Sequence, residues 1–318
     1  MIVPTLLIIL GFIFLIYGAD WMVKGATALA RKYKVSDLAI GLTIVSFGTS
    51  APELVVNSFA AFQNQSDIIF ANVIGSNNFN LFVILGIVGL ISPIIVQSST
   101  VWKEIPISLI AVIVLFLLGN NFFFQGSPML SRFDGLILFT LFSFFLYHVY
   151  TQMKTEPPVF ELAHRQMSNL KIWMLIIIGL AGLVLGGRLV VHNAVQIAGT
   201  LGVSKKIIGL TIVAAGTSLP ELVTSIVAAV KKNSDIAIGN VIGSNIFNIL
   251  FILSISAFIR PIEFNPSFNT DIYFLTAGTV FLFFAMFTGQ RKRLDRWEAG
   301  LLLVAFIFYT IYLISLEG

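Results

Sequence analysis

The stretch Gly48-Thr49-Ser50-Ala51-Pro52-Glu53 returns, with one residue changed, as Gly216-Thr217-Ser218-Leu219-Pro220-Glu221. Each copy sets a glutamate into an otherwise apolar run. An ionisable side chain at bilayer depth costs about 2.5–3.5 kcal/mol on insertion scales, so a carboxylate placed there twice reads as a functional site. A pair of glutamates in such surroundings suits a cation.

The surrounding chain reads as membrane. Of 318 residues, 57% are hydrophobic and 11% charged, and apolar stretches of bilayer-spanning length recur along nearly the whole sequence. Ten are expected, from about 2 to 30, 36 to 62, 67 to 93, 102 to 119, 132 to 151, 170 to 200, 204 to 230, 235 to 260, 270 to 288 and 296 to 315. Met1 is followed at once by apolar residues, without a basic n-region or a clear small-residue cleavage site, so the first stretch is expected to remain as a helix.

The repeat extends far beyond six residues. An offset of 168, the step from Gly48 to Gly216, aligns Gly18–Ile94 with Gly186–Ile262 without a gap. Gly41-Leu42-Thr43-Ile44-Val45 meets Gly209-Leu210-Thr211-Ile212-Val213, and Asn72-Val73-Ile74-Gly75-Ser76-Asn77 meets Asn240-Val241-Ile242-Gly243-Ser244-Asn245. With five helices in each half, an odd number, the second copy enters the membrane from the opposite side. The expected fold is therefore an all-α membrane protein of ten transmembrane helices in two inverted five-helix repeats. Residues 1–151 form the first half, 152–169 a cytoplasmic linker containing Glu156-Pro157-Pro158 and the mixed-charge run Glu161 to Arg165, and 170–318 the second half. Inverted repeats of this kind are a device of secondary transporters, whose substrates bind near the midplane on interrupted helices.

Lysine and arginine set the orientation. Arg31, Lys32, Lys34, Lys103, Lys154, Arg165, Lys171, Lys231, Lys232, Arg291, Lys292, Arg293 and Arg296 fall on one side, against Arg132, Lys205, Lys206 and Arg260 on the other. The first side is expected to be cytoplasmic, with both termini extracellular or periplasmic and the protein in the plasma (inner) membrane. This bias accounts for the net charge of +4, and no basic patch points to nucleic acid. With no cysteine and only His148, His164 and His192, thiolate, iron–sulfur and zinc or copper sites are not expected.

Within each six-residue copy, proline removes a backbone donor and crowds the carbonyl four residues earlier, so Pro52 and Pro220 should kink their helices. The carbonyls of Gly48 and Gly216, with the hydroxyls of Thr49, Ser50, Thr217 and Ser218, then offer neutral oxygens beside each carboxylate, a set suited to hard cations such as Na+ and Ca2+. The second repeated block supplies Ser76, Asn77 and Asn80, and Ser244, Asn245 and Asn248. Ser76 and Asn80, like Ser244 and Asn248, are four apart and share a helix face. Gly75 and Gly243 are expected to let helices approach closely. Taken singly, Ser, Thr and Asn often serve as interhelical hydrogen-bond glue; glue does not require a proline-adjacent carboxylate twice. Asp20 and Lys24 form an i, i+4 acid–base pair whose equivalents are Arg188 and His192. This broken symmetry fits a structural ion pair better than a shared ligand. Asn121-Phe122-Phe123-Phe124 reads as an interfacial aromatic cluster, and Gln290-Arg291-Lys292-Arg293 as part of the positive bias.

The two blocks, Gly-Thr-Ser-x-Pro-Glu and Gly-Asn-x-Ile-Gly-Ser-Asn-x-Phe-Asn, resemble the α-repeats of the cation/Ca2+ antiporter superfamily, and within it prokaryotic Na+/Ca2+ exchangers. The resemblance covers practically the full chain. It implies a secondary active antiporter that moves about three Na+ against one Ca2+ by alternating access, with those ions as substrates, no cofactor, membrane lipid as surroundings and no obligatory protein partner. Carried over to this sequence, Glu53 and Glu221 are the central carboxylates, and Thr49 and Thr217 give backbone or side-chain oxygens. Ser76 and Ser244 complete outer Na+ positions, the carbonyls of Ser46 and Ala214 are further ligands, and Asn80 and Asn248 line the middle. Many relatives carry an aspartate at the position of Asn248. Asparagine in both copies leaves two formal negative charges, and argues against K+ co-transport. The rivals are H+/Ca2+ exchange on the same scaffold and a cation channel. An intramembrane enzyme lacks an evident nucleophile, metal-His cluster or phosphate loop.

Overall fold

In lipid every backbone N–H and C=O must be satisfied within the protein, which turns apolar runs into helices. The computed structural model describes residues 2–122, 127–155, 167–200, 214–289 and 291–317. Helix α1 spans Ile2–Tyr33. Asp37–Thr49 (α2) and Ala51–Phe62 (α3) form one bent unit, followed by Ser66–Ile91 (α4) and Thr100–Gly119 (α5). Arg132–Thr155 is α6 and Asn169–Thr200 is α7. Ala214–Thr217 (α8) and Leu219–Val230 (α9) precede Ser234–Ile259 (α10), Pro266–Ala285 (α11) and Arg296–Glu317 (α12).

Among the described residues, eight helices are long and apolar enough to cross a membrane, and the pair α2 and α3 makes up to nine. These nine match the expected spans to within a few residues. The expected span from 204 to 230 is described only from residue 214, because residues 201–213, with Lys205, Lys206 and Gly209 to Val213, lie outside the described residues. So does most of the expected linker, including Glu156 to Arg165, and so do Phe123, Phe124 and Gln290.

Helices are not the whole of the secondary structure. Ile94–Ile95 (β1) pairs antiparallel with Arg293–Leu294 (β4), and Met129–Leu130 (β2) with Ile262–Glu263 (β3). These ribbons sit where the chain leaves a helix. Pro93 and Pro261, which have no N–H to continue a helix, precede β1 and β3, and pairing satisfies the next backbone groups.

Polarity is arranged inside out. Phe59, Phe62, Phe308 and Ile13 lie on the outer surface, while Asn240, Ser244, Asn245 and Asn248 of α10 are buried. Every residue of α10 from Ile236 to Ile246 is buried, so this helix runs through the centre of the bundle. Helices α1 and α7 pack antiparallel along a seam of glycines. A Cβ on Gly18 would lie 2.7 Å from the Gly179 carbonyl oxygen, and one on Gly186 would lie 2.7 Å from that of Gly11. The 168-residue offset carries Gly11 to Gly179 and Gly18 to Gly186, so each of these two contacts is the repeat equivalent of the other.

Asp20 of α1 pairs with Lys24 at 2.6 Å, as the i, i+4 spacing predicts. It also meets Lys231, at the end of α9, at 2.6 Å. The ion pair thus ties α1 to the C-terminal end of α9, a contact the local spacing does not contain. Arg188 and His192 are exposed.

Gly18→Ala or Gly179→Ala forces a methyl group into backbone, a loss of about 1–3 kcal/mol. Thermal melting in detergent should show a lowered transition for either. Gly300→Ala, where the nearest atom to a new Cβ is 3.9 Å away, should leave it unchanged or raised.

Candidate cation site

The site begins at the two helix breaks. Pro52 cannot donate to the carbonyl of Gly48, and the chain bends by 48° between α2 and α3. Ser50 sits at the break with φ −83° and ψ 6°, and Ser218 has φ −89° and ψ 6°. Glu53 and Glu221 therefore occupy the first turns of α3 and α9, where helix N–H groups lack intrahelical partners and the helix dipole favours negative charge. Both are buried, with exposures of 0% and 1%.

Each glutamate is held by the other half of the chain. Ser50 Oγ donates to Glu221 Oε1 at 2.9 Å, and Ser218 Oγ to Glu53 Oε1 at 3.4 Å. A second layer repeats the exchange: Thr49 Oγ1 lies 3.0 Å from Asn240 Oδ1, and Asn72 Nδ2 donates to Thr217 Oγ1 at 3.2 Å. Asn72 and Asn240 are in turn anchored beside the glutamates. Asn57 Nδ2 donates to Asn72 Oδ1 and to the Glu53 carbonyl, both at 2.7 Å. Asn240 Nδ2 donates to Ser225 Oγ at 3.0 Å and to the Glu221 carbonyl at 3.2 Å.

A third layer joins α4 and α10. Asn77 Nδ2 donates to the Asn245 carbonyl at 3.2 Å, and Asn245 Nδ2 to the Asn77 carbonyl at 3.3 Å. Asn80 Nδ2 donates to Asn245 Oδ1 at 3.1 Å, and Asn248 Nδ2 to Asn77 Oδ1 at 3.0 Å. Asn80 and Asn248 lie in π-helical turns, Phe79–Ile84 and Phe247–Ile252, in which the N–H groups of Leu85 and Leu253 reach back five residues to the Asn80 and Asn248 carbonyls. Such widened turns recur at functional sites.

Besides Asn57 Oδ1, six buried oxygens of this assembly have no hydrogen-bond partner among the described residues: Glu53 Oε2, Glu221 Oε2, Ser76 Oγ, Ser244 Oγ, Asn80 Oδ1 and Asn248 Oδ1. They fall into three pairs, each related by the 168-residue offset. A buried polar atom left unpaired costs about 1–3 kcal/mol. Carboxylate, hydroxyl and amide oxygens are the donor types that Na+ and Ca2+ prefer, so the set fits a hard cation.

The remaining sequence candidates divide. Ser46 is buried; its carbonyl accepts from the Ser50 N–H at 3.0 Å and lies 3.3 Å from Thr49 Oγ1, whose single hydrogen has Asn240 Oδ1 as the nearer acceptor, so one lone pair of the carbonyl is open. For Ala214 only the helical backbone is described. A Cβ on Gly243 would lie 2.7 Å from Ser46 Oγ, whereas no described atom is within 4 Å of one on Gly75. The close approach expected of both glycines is found for Gly243 alone among the described residues. Asn77 and Asn245 were named with the second block but given no role in the site, and Asn57, Asn72, Ser225 and Asn240 were not named as site residues. Asn72 and Asn240 lie in the repeated block, which is a legible signal. Asn57 and Ser225 differ between copies, so their shared position was hidden.

Gly243→Ala presses on Ser46 and on the Leu42 carbonyl 2.9 Å away. It is expected to cost about 1–3 kcal/mol by overpacking, read as a lowered melting temperature, and to weaken cation-induced stabilisation of the protein.

The chain matches the family model described as sodium/calcium exchanger protein over residues 3–151 and 171–315. It is 37% identical to the putative antiporter CaxA of Alkalimonas amylolytica over 99% of this chain and 100% of that one. It is 35% identical to the inner membrane protein YrbG of Escherichia coli (strain K12), covering 84% of this chain and 83% of the other. Among solved structures it superimposes on the sodium-calcium exchanger NCX_Mj, soaked with Na+ and Ca2+, with a TM-score of 0.82, 33% identity and 98% of both chains covered.

Proposed function

The chain belongs to the sodium/calcium exchanger family, and from that premise we propose that it is a secondary active antiporter that exchanges Na+ for Ca2+ by alternating access. The observation that carries the reading is the set of six partnerless buried oxygens, two of them on Glu53 and Glu221, contributed in equal pairs by the two halves. The family is one of membrane transporters rather than enzymes. The ions are its substrates, and no resident cofactor enters the reading.

Glu53 and Glu221 hold the cation charge. Ser76, Ser244, Asn80 and Asn248 supply the neutral oxygens, and Thr49, Thr217, Ser50 and Ser218 close the shell. The carbonyls of Ser46 and Ala214 are further ligands in this reading. Two carboxylates balance one Ca2+, and with three Na+ they leave one excess positive charge. Either load is electrostatically acceptable and both together are not, so the ions compete. That stoichiometry makes exchange electrogenic, and the neutral Asn248 supports K+ independence.

The architecture that goes with this reading is ten helices in two inverted halves, 1–151 and 170–318, joined by a cytoplasmic linker at 152–169. Both termini face outside the cell. The contacts paired by the 168-residue offset support such a two-fold arrangement. The pair α1 and α7, joined along its glycine seam, is the unit that slides past the site.

Purified protein in liposomes loaded with Na+ and diluted into Na+-free buffer should take up radiolabelled Ca2+, faster under an inside-positive potential because net positive charge leaves with each cycle. Glu53→Gln and Glu221→Gln should each reduce uptake to background while leaving a folded protein. Their melting temperatures in ion-free buffer should stay level or rise, since a buried charge is removed, and Ca2+ should no longer stabilise them. Uptake driven only by a pH gradient would assign H+/Ca2+ exchange instead. Single-channel conductance would assign a channel.

A further inference from the structure

We infer that Asn77 and Asn245, where α4 crosses α10, are positioning residues that aim the amide oxygens of Asn248 and Asn80 into the cation site and are not ligands themselves. The inference rests on the reading of that site as a cation site.

Both ends of each side-chain amide are engaged. Asn77 donates through Nδ2 to the Asn245 carbonyl and accepts through Oδ1 from Asn248. Asn245 donates to the Asn77 carbonyl and accepts from Asn80. Asn77 and Asn245 are 0% and 2% exposed, and each amide oxygen already accepts from an asparagine of the other half.

The consequence falls on their neighbours. An asparagine amide is planar, with its oxygen and nitrogen pointing in different directions, so anchoring Nδ2 determines where Oδ1 points. In Asn80 and Asn248 the anchored atom is Nδ2, and the buried Oδ1 is the atom without a partner. Turning either amide by half a turn would bring its oxygen against Oδ1 of Asn245 or Asn77. Two acceptors would face each other across about the same distance, and the inward end would present N–H groups, which repel a cation. The frame therefore opposes the inverted orientation. It also works crosswise: Asn77 in the first half orients the ligand of the second, and Asn245 orients that of the first. Because the same four bonds join α4 to α10, the two oxygens keep their relative placement while other helices move.

The test is a pair of double-mutant cycles read as Ca2+ dissociation constants, by isothermal titration calorimetry of the full-length protein in Na+-free detergent solution, with monodispersity and melting temperature recorded for every variant. Asn77→Ala should weaken Ca2+ binding about tenfold in the otherwise native protein. Its effect should fall below about twofold in an Asn248→Ala background, where there is no amide left to orient, yet persist in an Asn80→Ala background. Asn245→Ala should show the opposite pairing, losing its effect with Asn80→Ala and keeping it with Asn248→Ala. Where Asn77→Ala does not fold, Asn77→Ser takes its place in the cycle. Equal factors in all backgrounds, or a lowered melting temperature with an unchanged dissociation constant, would overturn the inference. Absence of Ca2+ binding by the unsubstituted protein would overturn the site reading itself, and this inference with it.

Discussion

Two carboxylates enclosed within a bundle of apolar helices are the constraint to which the rest of the structure answers. Glu53 and Glu221 are withdrawn from solvent, and charges of one sign in such surroundings need donors, dipoles or a counter-charge close by. The fold places each glutamate in the first turn of a helix that starts at a proline-made break. It then brings the serine at the opposite break to each of them. These contacts cross between the halves, so neither half can complete the environment of its own acid. One oxygen of each carboxylate is satisfied by the protein; the other has no hydrogen-bond partner among the described residues.

Around that centre, polar groups are spent sparingly and in layers. The amides of Asn57, Asn72 and Asn240 link the glutamate carbonyls to the threonines beside the breaks. The asparagines of α4 and α10 link the two central helices. Small residues set the spacing that makes such bonds reachable: Gly243 lets α10 lie against Ser46, and the seam of Gly11, Gly18, Gly179 and Gly186 brings the backbones of α1 and α7 into contact. Without water to compete, van der Waals contact and interhelical hydrogen bonds are the main attractions between helices in lipid. Large apolar side chains such as Phe59 and Phe308 are turned outward.

Symmetry is strong at the centre and relaxed at the edge. The central hydrogen bonds come in pairs separated by one offset, while Asp20 pairs with Lys24 and Lys231 where the equivalent positions of the first two are Arg188 and His192. A site shared by both halves constrains both copies to the same chemistry. An ion pair that ties one helix to one neighbour carries no such constraint. That difference is why the internal repeat is a good guide to the buried polar centre and a poor one to the outer contacts.

Several features were legible without coordinates, because they depend on residue type and spacing alone. Apolar runs of bilayer length specify helices, a proline inside a helix removes its bond to the carbonyl four residues back, and a duplicated glutamate beside it singles out the repeated motif; the described span limits agree to within a few residues. The paired ribbons were not legible, since two-residue strands carry no period. Nor was the seating of Gly243 against the Ser46 hydroxyl. The sequence by itself determined which oxygens are available and that they come in twos. Only the tertiary structure decided which serine faces which glutamate, and which end of each asparagine amide points inward. A hydrogen bond is directional, and its direction depends on the helix that lies opposite, which for Asn77 and Asn248 is a partner 171 residues away.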